Sequence, residues 1–330
     1  MSRSKIALLY VGGSIGMKVN QKTGRIEPIE SLNEIHRFLP ELQREVALQF
    51  FSLTNVGSSE IRPEDWIEMA KKIEELYDEF EGFVIVHGTN TMSYTAAALS
   101  FALQGLSKPI ILTGAIHPIN DIAGDGRTNL IYAIRAAQLD IAEVCVVLGP
   151  RVLRGSRTKK VDQSLLRTFD TLTCPALAEF NQQVHLSHDR IVRRKRTLKC
   201  RPTFDPNVAI LTLHPGIQGN YLDAVLESEP HGLVLRTYGP GMLPERLFDW
   251  LRKVTSKNIP VLTTSQAIRG QVNMHHFRKQ LTLERLGIIS GSNMTFECAT
   301  VKLMWALTQS KNSGRLRDIL EKSLVGELDE

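Results

Sequence analysis

The chain has 330 residues, 42% hydrophobic and 23% charged, with 23 Gly and 14 Pro; these proportions belong to a folded protein and exclude fibrous and disordered classes. The net charge of +5 is modest, and no uninterrupted apolar stretch reaches membrane-spanning length. Cys145, Cys174, Cys200 and Cys298 lie far apart, with no C-x-x-C pair and no neighbouring His cluster. That spacing gives neither a zinc site nor a disulfide framework and fits a reduced, cytoplasmic protein.

The N-terminal MSRSKIALLYVGGSIG has a charged start and a short apolar run, but glycines follow it where a signal peptide would have a small-residue cleavage site. It reads as a first strand, IALLYV (6–11). The runs VALQFFSL (46–53), FVIV (83–86), PIILTG (109–114) and VCVVLG (144–149) read as further strands. Between them, PEDWIEMAKKIEELYDEF opens with Pro63 at a first helical position and with Glu64 and Asp65 in the first turn. Its Trp66, Ile67, Ala70, Ile73 and Leu76 recur near a helical period. A second helix is expected from about Thr91 into Phe101 and Leu103, its Ala-rich YTAAALSFAL allowing close approach to a sheet.

This βαβ rhythm breaks at RIVRRKRTLKCR (190–201), a basic run without the interleaved aromatic residues that would stack on bases, so a solvated connection is expected rather than a nucleic-acid contact. The rhythm then restarts with VAILTL (208–213), GLVLRTYG (232–239) and PVLTTSQ (260–266), separated by helical segments around Ala224 and Leu247. The expected fold class is therefore α/β. A larger N-terminal domain with a doubly wound, mostly parallel sheet spans 1–189, a basic linker spans 190–206, and a smaller C-terminal α/β domain spans 207–330.

In an open α/β sheet, ligands sit beyond the carboxyl ends of the strands, and polar clusters fall at those ends here. Gly12-Gly13 permits a sharp turn before Ser14, which is a candidate nucleophile or a turn serine. Gly57-Ser58-Ser59 follows the second strand. After the third, His87-Gly88-Thr89-Asn90-Thr91 either caps the next helix or faces a ligand. Lys160, in RGSRTKK, is a candidate general base, because a desolvated lysine loses its proton readily. Histidine invites acid–base chemistry, whereas His275 and His276 are adjacent and not at helical ligand spacing, so no metal site is expected.

Taken in order, YVGGSIG, HGTNTM, PIILTG, GDGRTNL, RGSRTKK, LRTYGPGM, GQVNM and the closing VGELDE resemble the ordered motifs of the bacterial-type L-asparaginases, most closely their cytoplasmic type I branch. The resemblance runs nearly end to end. It implies an amidohydrolase that cleaves the side-chain amide of L-asparagine or a related small amide through a hydroxyl nucleophile. It needs no cofactor and no metal. On this resemblance, Ser14 attacks the amide carbon; Thr89, Asn90 and Lys160 form the accompanying catalytic group; and His87 packs behind the threonine. The substrate-binding set becomes Ser58 and Ser59, which meet an α-carboxylate, together with Asn90 and Ala115. A cytoplasmic homodimer or homotetramer follows, with a small amide or amino acid as its partner and neither a membrane nor a nucleic acid.

Several positions depart from the family pattern. Asn90 replaces the aspartate that accepts a hydrogen bond from a substrate ammonium group, keeping its shape and losing its charge. Ser14 replaces threonine. Arg25 aligns with a tyrosine of a mobile loop, Met242 with an asparagine, and HHFRKQ (275–280) with a glycine-rich stretch. Asn90 no longer asks for a cationic α-amino group, and Arg25 or Arg278 offers charge to an anion. The alternative reading is a catalytically weakened or inactive homologue that binds an amino acid or a partner.

Overall fold

The computed structural model describes residues 3–20, 22–29, 34, 35, 37, 39, 40, 42–274 and 278–329. The chain divides into two compact units, Met1–Pro202 and Thr203–Glu330. Among the described residues, no helix is long and apolar enough to cross a membrane.

The first unit is built on strands β1 (Ser4–Tyr10), β2 (Met17–Val19), β3 (Ile26–Pro28), β4 (Val46–Ser52), β5 (Gly82–Val86), β6 (Leu103–Gln104), β7 (Ile110–Thr113), β8 (Val144–Val147), β9 (Arg151–Arg154), β10 (Thr158–Lys160), β11 (Phe169–Thr171), β12 (Ala178–Phe180), β13 (Val184–Leu186) and β14 (Lys199–Cys200). Its main sheet runs in the order β13-β12-β9-β8-β7-β5-β1-β4. The neighbours from β4 through β1, β5 and β7 to β8 are parallel. β9, β12 and β13 then add on antiparallel. β5 is buried at all five positions, as are Ile6 to Tyr10 of β1, because helices cover both faces of a parallel sheet.

From β1 the chain crosses to β4 on one side and returns to β5 on the other. The connections therefore diverge between β1 and β5, which makes the carboxyl ends of these two strands a switch point, the place where an open α/β sheet leaves a crevice.

Helix α1 (Pro63–Leu76) starts at the expected proline, and the Asp65 carboxylate accepts the Arg62 N–H at 2.7 Å. Its buried stripe is Trp66, Met69, Ala70, Ile73 and Leu76. Met69 takes the place assigned to Ile67 by periodicity, because a 3.6-residue repeat fits either position and packing selects one. Helix α2 (Met92–Ala102) is buried along all but one of its positions, so its alanines let the backbone lie close to the sheet. Helix α3 (Gly126–Ala136) covers the region of β7 and β8.

The first part of the basic run folds back onto this unit. Arg193 Nε and Nη2 donate to the carbonyls of Leu139 and Ala137 at 2.8 and 2.9 Å, and Arg190 Nε donates to the Asp140 carbonyl at 3.0 Å. These carbonyls lie at and just beyond the C-terminal end of α3, where the guanidinium groups supply donors that a continuing helix would have given. Arg194, Lys195 and Arg196 are exposed.

The second unit carries the parallel sheet β15 (Val208–Thr212), β16 (Gly232–Thr237), β17 (Val261–Ser265) and β18 (Ile289–Ser290), in that order. Helices α4 (Gly219–Glu227), α5 (Phe248–Ser256), α6 (Arg278–Arg285), α7 (Phe296–Gln309) and α8 (Ser313–Glu321) complete it. Its C-terminal segment is fastened by a fully buried ion pair. Lys302 Nζ donates to Glu327 Oε1 at 2.6 Å and to the carbonyls of Leu320 and Lys322 at 2.9 and 2.7 Å. All three ammonium donors are thereby used.

Candidate functional site

Three loops meet at the β1/β5 switch point, and glycine is what lets them approach. Gly12 and Gly13 adopt φ values of 139° and 91°. A Cβ on Gly13 would lie 2.5 Å from the Gly88 nitrogen, and one on Gly88 would lie 2.7 Å from Ser58 Oγ. Any side chain at these positions would force the strand ends apart. Ser14 follows as the first residue of a short 3-10 turn, Ser14–Gly16, and is half-buried.

The polar cluster after β5 does not cap α2 with its side chains. Thr91 is the N-cap residue, but its hydroxyl donates to the Ser58 carbonyl at 2.6 Å instead of accepting from the helix. Lys160 Nζ, at the end of β10, donates to Thr89 Oγ1 and to Asn90 Oδ1, each at 2.9 Å. Asn90 N–H donates to Ser58 Oγ at 3.1 Å, and Asn90 Nδ2 reaches Ser59 Oγ at 3.4 Å. Ser58, Ser59, Thr89, Asn90 and Lys160 thus form one hydrogen-bonded group, although Lys160 lies 70 residues from Asn90. Partial burial lowers the Lys160 pKa from its ordinary value. Both hydrogen-bond partners of its head group are neutral.

Ser14 and Ala115 sit on the adjoining loops. Among the described residues, no hydrogen bond joins the Ser14 hydroxyl to Thr89 or Lys160; the lysine meets Thr89 directly. Ala115 is buried, and its loop is held by two residues not singled out from the sequence. Asp125 accepts the N–H groups of Ile116 and His117 at 3.1 Å each. Asn129 donates to Asp125 and to the Gly114 carbonyl, both at 2.9 Å, and accepts from Gly149 N–H at 2.8 Å. Asp and Asn four residues apart at the start of a helix were the available signal in GDGRTNL.

His87 is fully buried behind this group. Trp66 Nε1 donates to Thr95 Oγ1 at 3.1 Å, and Thr95 Oγ1 lies 3.0 Å from His87 Nε2. The indole can only donate, so the threonine hydrogen is left for Nε2. His87 Nδ1 then donates to the Gly88 carbonyl at 2.6 Å. This assigns the neutral Nδ1–H tautomer, in keeping with a pKa pushed down to about 4 by burial. The ring supports the Gly88–Thr89 turn.

The strand that precedes the Lys160 hairpin, β9, ends in a buried pair: Arg154 Nε and Nη2 donate to Glu143 at 2.6 and 3.1 Å. Two other sequence candidates have different surroundings. Arg25 is exposed between β2 and β3, and Met242 bonds across to Tyr238 in the second unit. His275, His276 and Phe277 of HHFRKQ lie outside the described residues, as do the side chains of Arg278 and Lys279.

The architecture and the glycine-bracketed hydroxyls define an α/β protein with a polar site at the strand ends of its larger unit. Comparison with known families matches residues 5–192 to the N-terminal asparaginase domain and residues 207–320 to the glutaminase/asparaginase C-terminal domain. The chain belongs to the asparaginase family. It is 32% identical over 338 residues to L-asparaginase 1 of Escherichia coli K12, with 99% of each chain covered. The crystal structure of L-asparaginase I from Vibrio cholerae matches it with a TM-score of 0.90 and 31% identity over the whole of both chains. It is also 30% identical over 340 residues to a glutamyl-tRNA(Gln) amidotransferase component from Methanobrevibacter smithii, covering all of this chain and 78% of that one.

Proposed function

We propose that the protein is an amidohydrolase that converts the side-chain amide of L-asparagine or a related small amide into the acid and ammonia. The observation that carries this reading is Lys160 Nζ at 2.9 Å from the Thr89 hydroxyl, beside the glycine-flanked Ser14 loop. Ser14 Oγ adds to the amide carbon, and its proton passes through the Thr89 hydroxyl to the neutral amine of Lys160. The C–N bond then breaks, and the proton returns to the departing nitrogen to give ammonia. Water cleaves the resulting ester, freeing the acid and restoring Ser14. Desolvation supports the lysine's part, because it raises the neutral fraction of the amine. Ser58 Oγ accepts from Asn90 N–H, which leaves its own hydrogen for a substrate carboxylate. Ala115 contributes the backbone of the loop held by Asp125.

A second reading exchanges the two hydroxyls. Direct contact with Lys160 favours Thr89 as the attacking group, with Ser14 positioning the carbon. Ammonia release from a panel of amides, measured with wild type, Ser14→Ala and Thr89→Val, tests both. In the first reading Ser14→Ala abolishes turnover and retains the wild-type circular dichroism spectrum. Undiminished turnover in Ser14→Ala moves the nucleophile to Thr89. Silence of the wild type across the panel refutes hydrolysis and leaves the noncatalytic binding protein.

A further inference from the structure

Lys160 and Asn90 have an asymmetry that bears on the substrate. A lysine head group donates hydrogen bonds and accepts none while protonated, so the Asn90 atom 2.9 Å from Nζ is Oδ1 and the amide nitrogen is directed to Ser59. One lone pair of the Asn90 carbonyl is therefore taken by Lys160, and the second Nδ2 hydrogen and the Ser58 and Ser59 hydroxyls add several donors beside it. Ser58 Oγ accepts from Asn90 N–H, and Ser59 Oγ accepts from Asn90 Nδ2, so each hydroxyl hydrogen is available to a ligand. Lys160 uses two of its three donors on Thr89 and Asn90.

Carboxylates near the group do not reverse this pattern. Asp125 is occupied by the N–H groups of Ile116 and His117 and by Asn129. Asp162, two residues beyond Lys160, accepts the N–H groups of Ser164 and Leu165. Glu60, next to Ser59, is exposed, where water screens its charge. Among the described residues, no carboxylate hydrogen-bonds to Asn90 or pairs with Lys160.

Resting on the amidohydrolase reading, we propose that the preferred substrate is an amide of a carboxylic acid that carries no free ammonium group, with hydrogen or an acylated nitrogen in its place. An ammonium group brought to Asn90 would have to share a neutral carbonyl already held by Lys160, among N–H and O–H donors and with no counter-charge among the described residues. A carbonyl or carboxylate oxygen there would find donors instead. An ammonium ion held by a neutral carbonyl lacks the ion pair that a carboxylate would give it, and with no carboxylate bonded to Asn90 or Lys160 among the described residues the two substrate types are expected to differ by about tenfold or more.

The test compares ammonia release from L-asparagine, succinamate and N-acetyl-L-asparagine by wild type, Asn90→Asp and Glu60→Gln. The expected wild-type order places succinamate or the N-acetyl compound above L-asparagine in kcat/KM by about tenfold or more. Asn90→Asp is expected to move the ratio toward L-asparagine by a similar factor, and Glu60→Gln to leave it unchanged. Taking the ratio at one pH cancels any common effect of the substitution on Lys160. Wild-type preference for L-asparagine overturns the inference, as does a ratio that Asn90→Asp does not move or that Glu60→Gln does. Calorimetric binding of the products to the unmodified protein separates this failure from failure of the hydrolase reading. Succinate binding tighter than L-aspartate without ammonia release would refute hydrolysis but retain the charge preference; L-aspartate binding tighter would refute the charge preference itself.

Discussion

Replacing Asn90 with aspartate should displace the pH dependence of turnover, because it puts a carboxylate where Lys160 now meets a neutral carbonyl. The present Nζ to Oδ1 distance is 2.9 Å. At that separation, with the dielectric constant of water because Asn90 is exposed, the new attraction is worth about 1.4 kcal/mol, or about one pH unit. Surface screening makes this the appropriate limit to use. The sign follows from which form is needed. The carboxylate favours the ammonium ion, whereas a general base must be the neutral amine, so the acid limb of the kcat profile moves upward by about one unit. Succinamate is the suitable substrate, since it has no ammonium group to interact with the new charge. The assay is initial ammonia release from pH 6 to 10 with saturating substrate for wild type and Asn90→Asp, with Lys160→Arg as the control that has no accessible neutral form. A limb that stays in place in Asn90→Asp, or that survives in Lys160→Arg, would refute Lys160 as the base.

Two further predictions concern the scaffold. His87 has a folded-state pKa near 4 against 6.5 when free, so the unfolded chain takes up a proton that the folded one refuses as pH falls through this window. The stability contribution is complete above 6.5 and is lost progressively toward 4, a fall of roughly 3 kcal/mol that denaturant titrations should find, and that His87→Gln should remove; an equally steep fall in the variant would assign it elsewhere. Glu327→Ala leaves the fully buried Lys302 ammonium without its counter-charge and should lower unfolding free energy by about 3 to 5 kcal/mol. A loss below about 1 kcal/mol in equilibrium denaturation would mean that the lysine gives up its proton or reaches solvent when the carboxylate is absent.

The sequence by itself determined the alternation of strands and helices, the family and the polar character of the strand ends. These are local properties: Gly82 to Val86 is apolar throughout, Pro63 suits only the first turn of its helix, and Gly12-Gly13 precedes a hydroxyl whatever lies opposite. Tertiary structure decided what those hydroxyls bond to. In isolation, Thr89, Asn90 and Thr91 serve equally well as helix caps, and only the arrival of Ser58 and Lys160 from distant strand ends supplies the competing partners. Periodicity likewise could not choose Met69 over Ile67, since both lie near the buried face, nor reveal that β9, β12 and β13 run antiparallel to the strands before them. Asp125 and Asn129 were legible only as part of a motif, because their effect on Ala115 consists of bonds to the backbone of another loop. Side-chain type is written locally, but hydrogen-bond partnership depends on which chain segments folding brings within about 3 Å of one another.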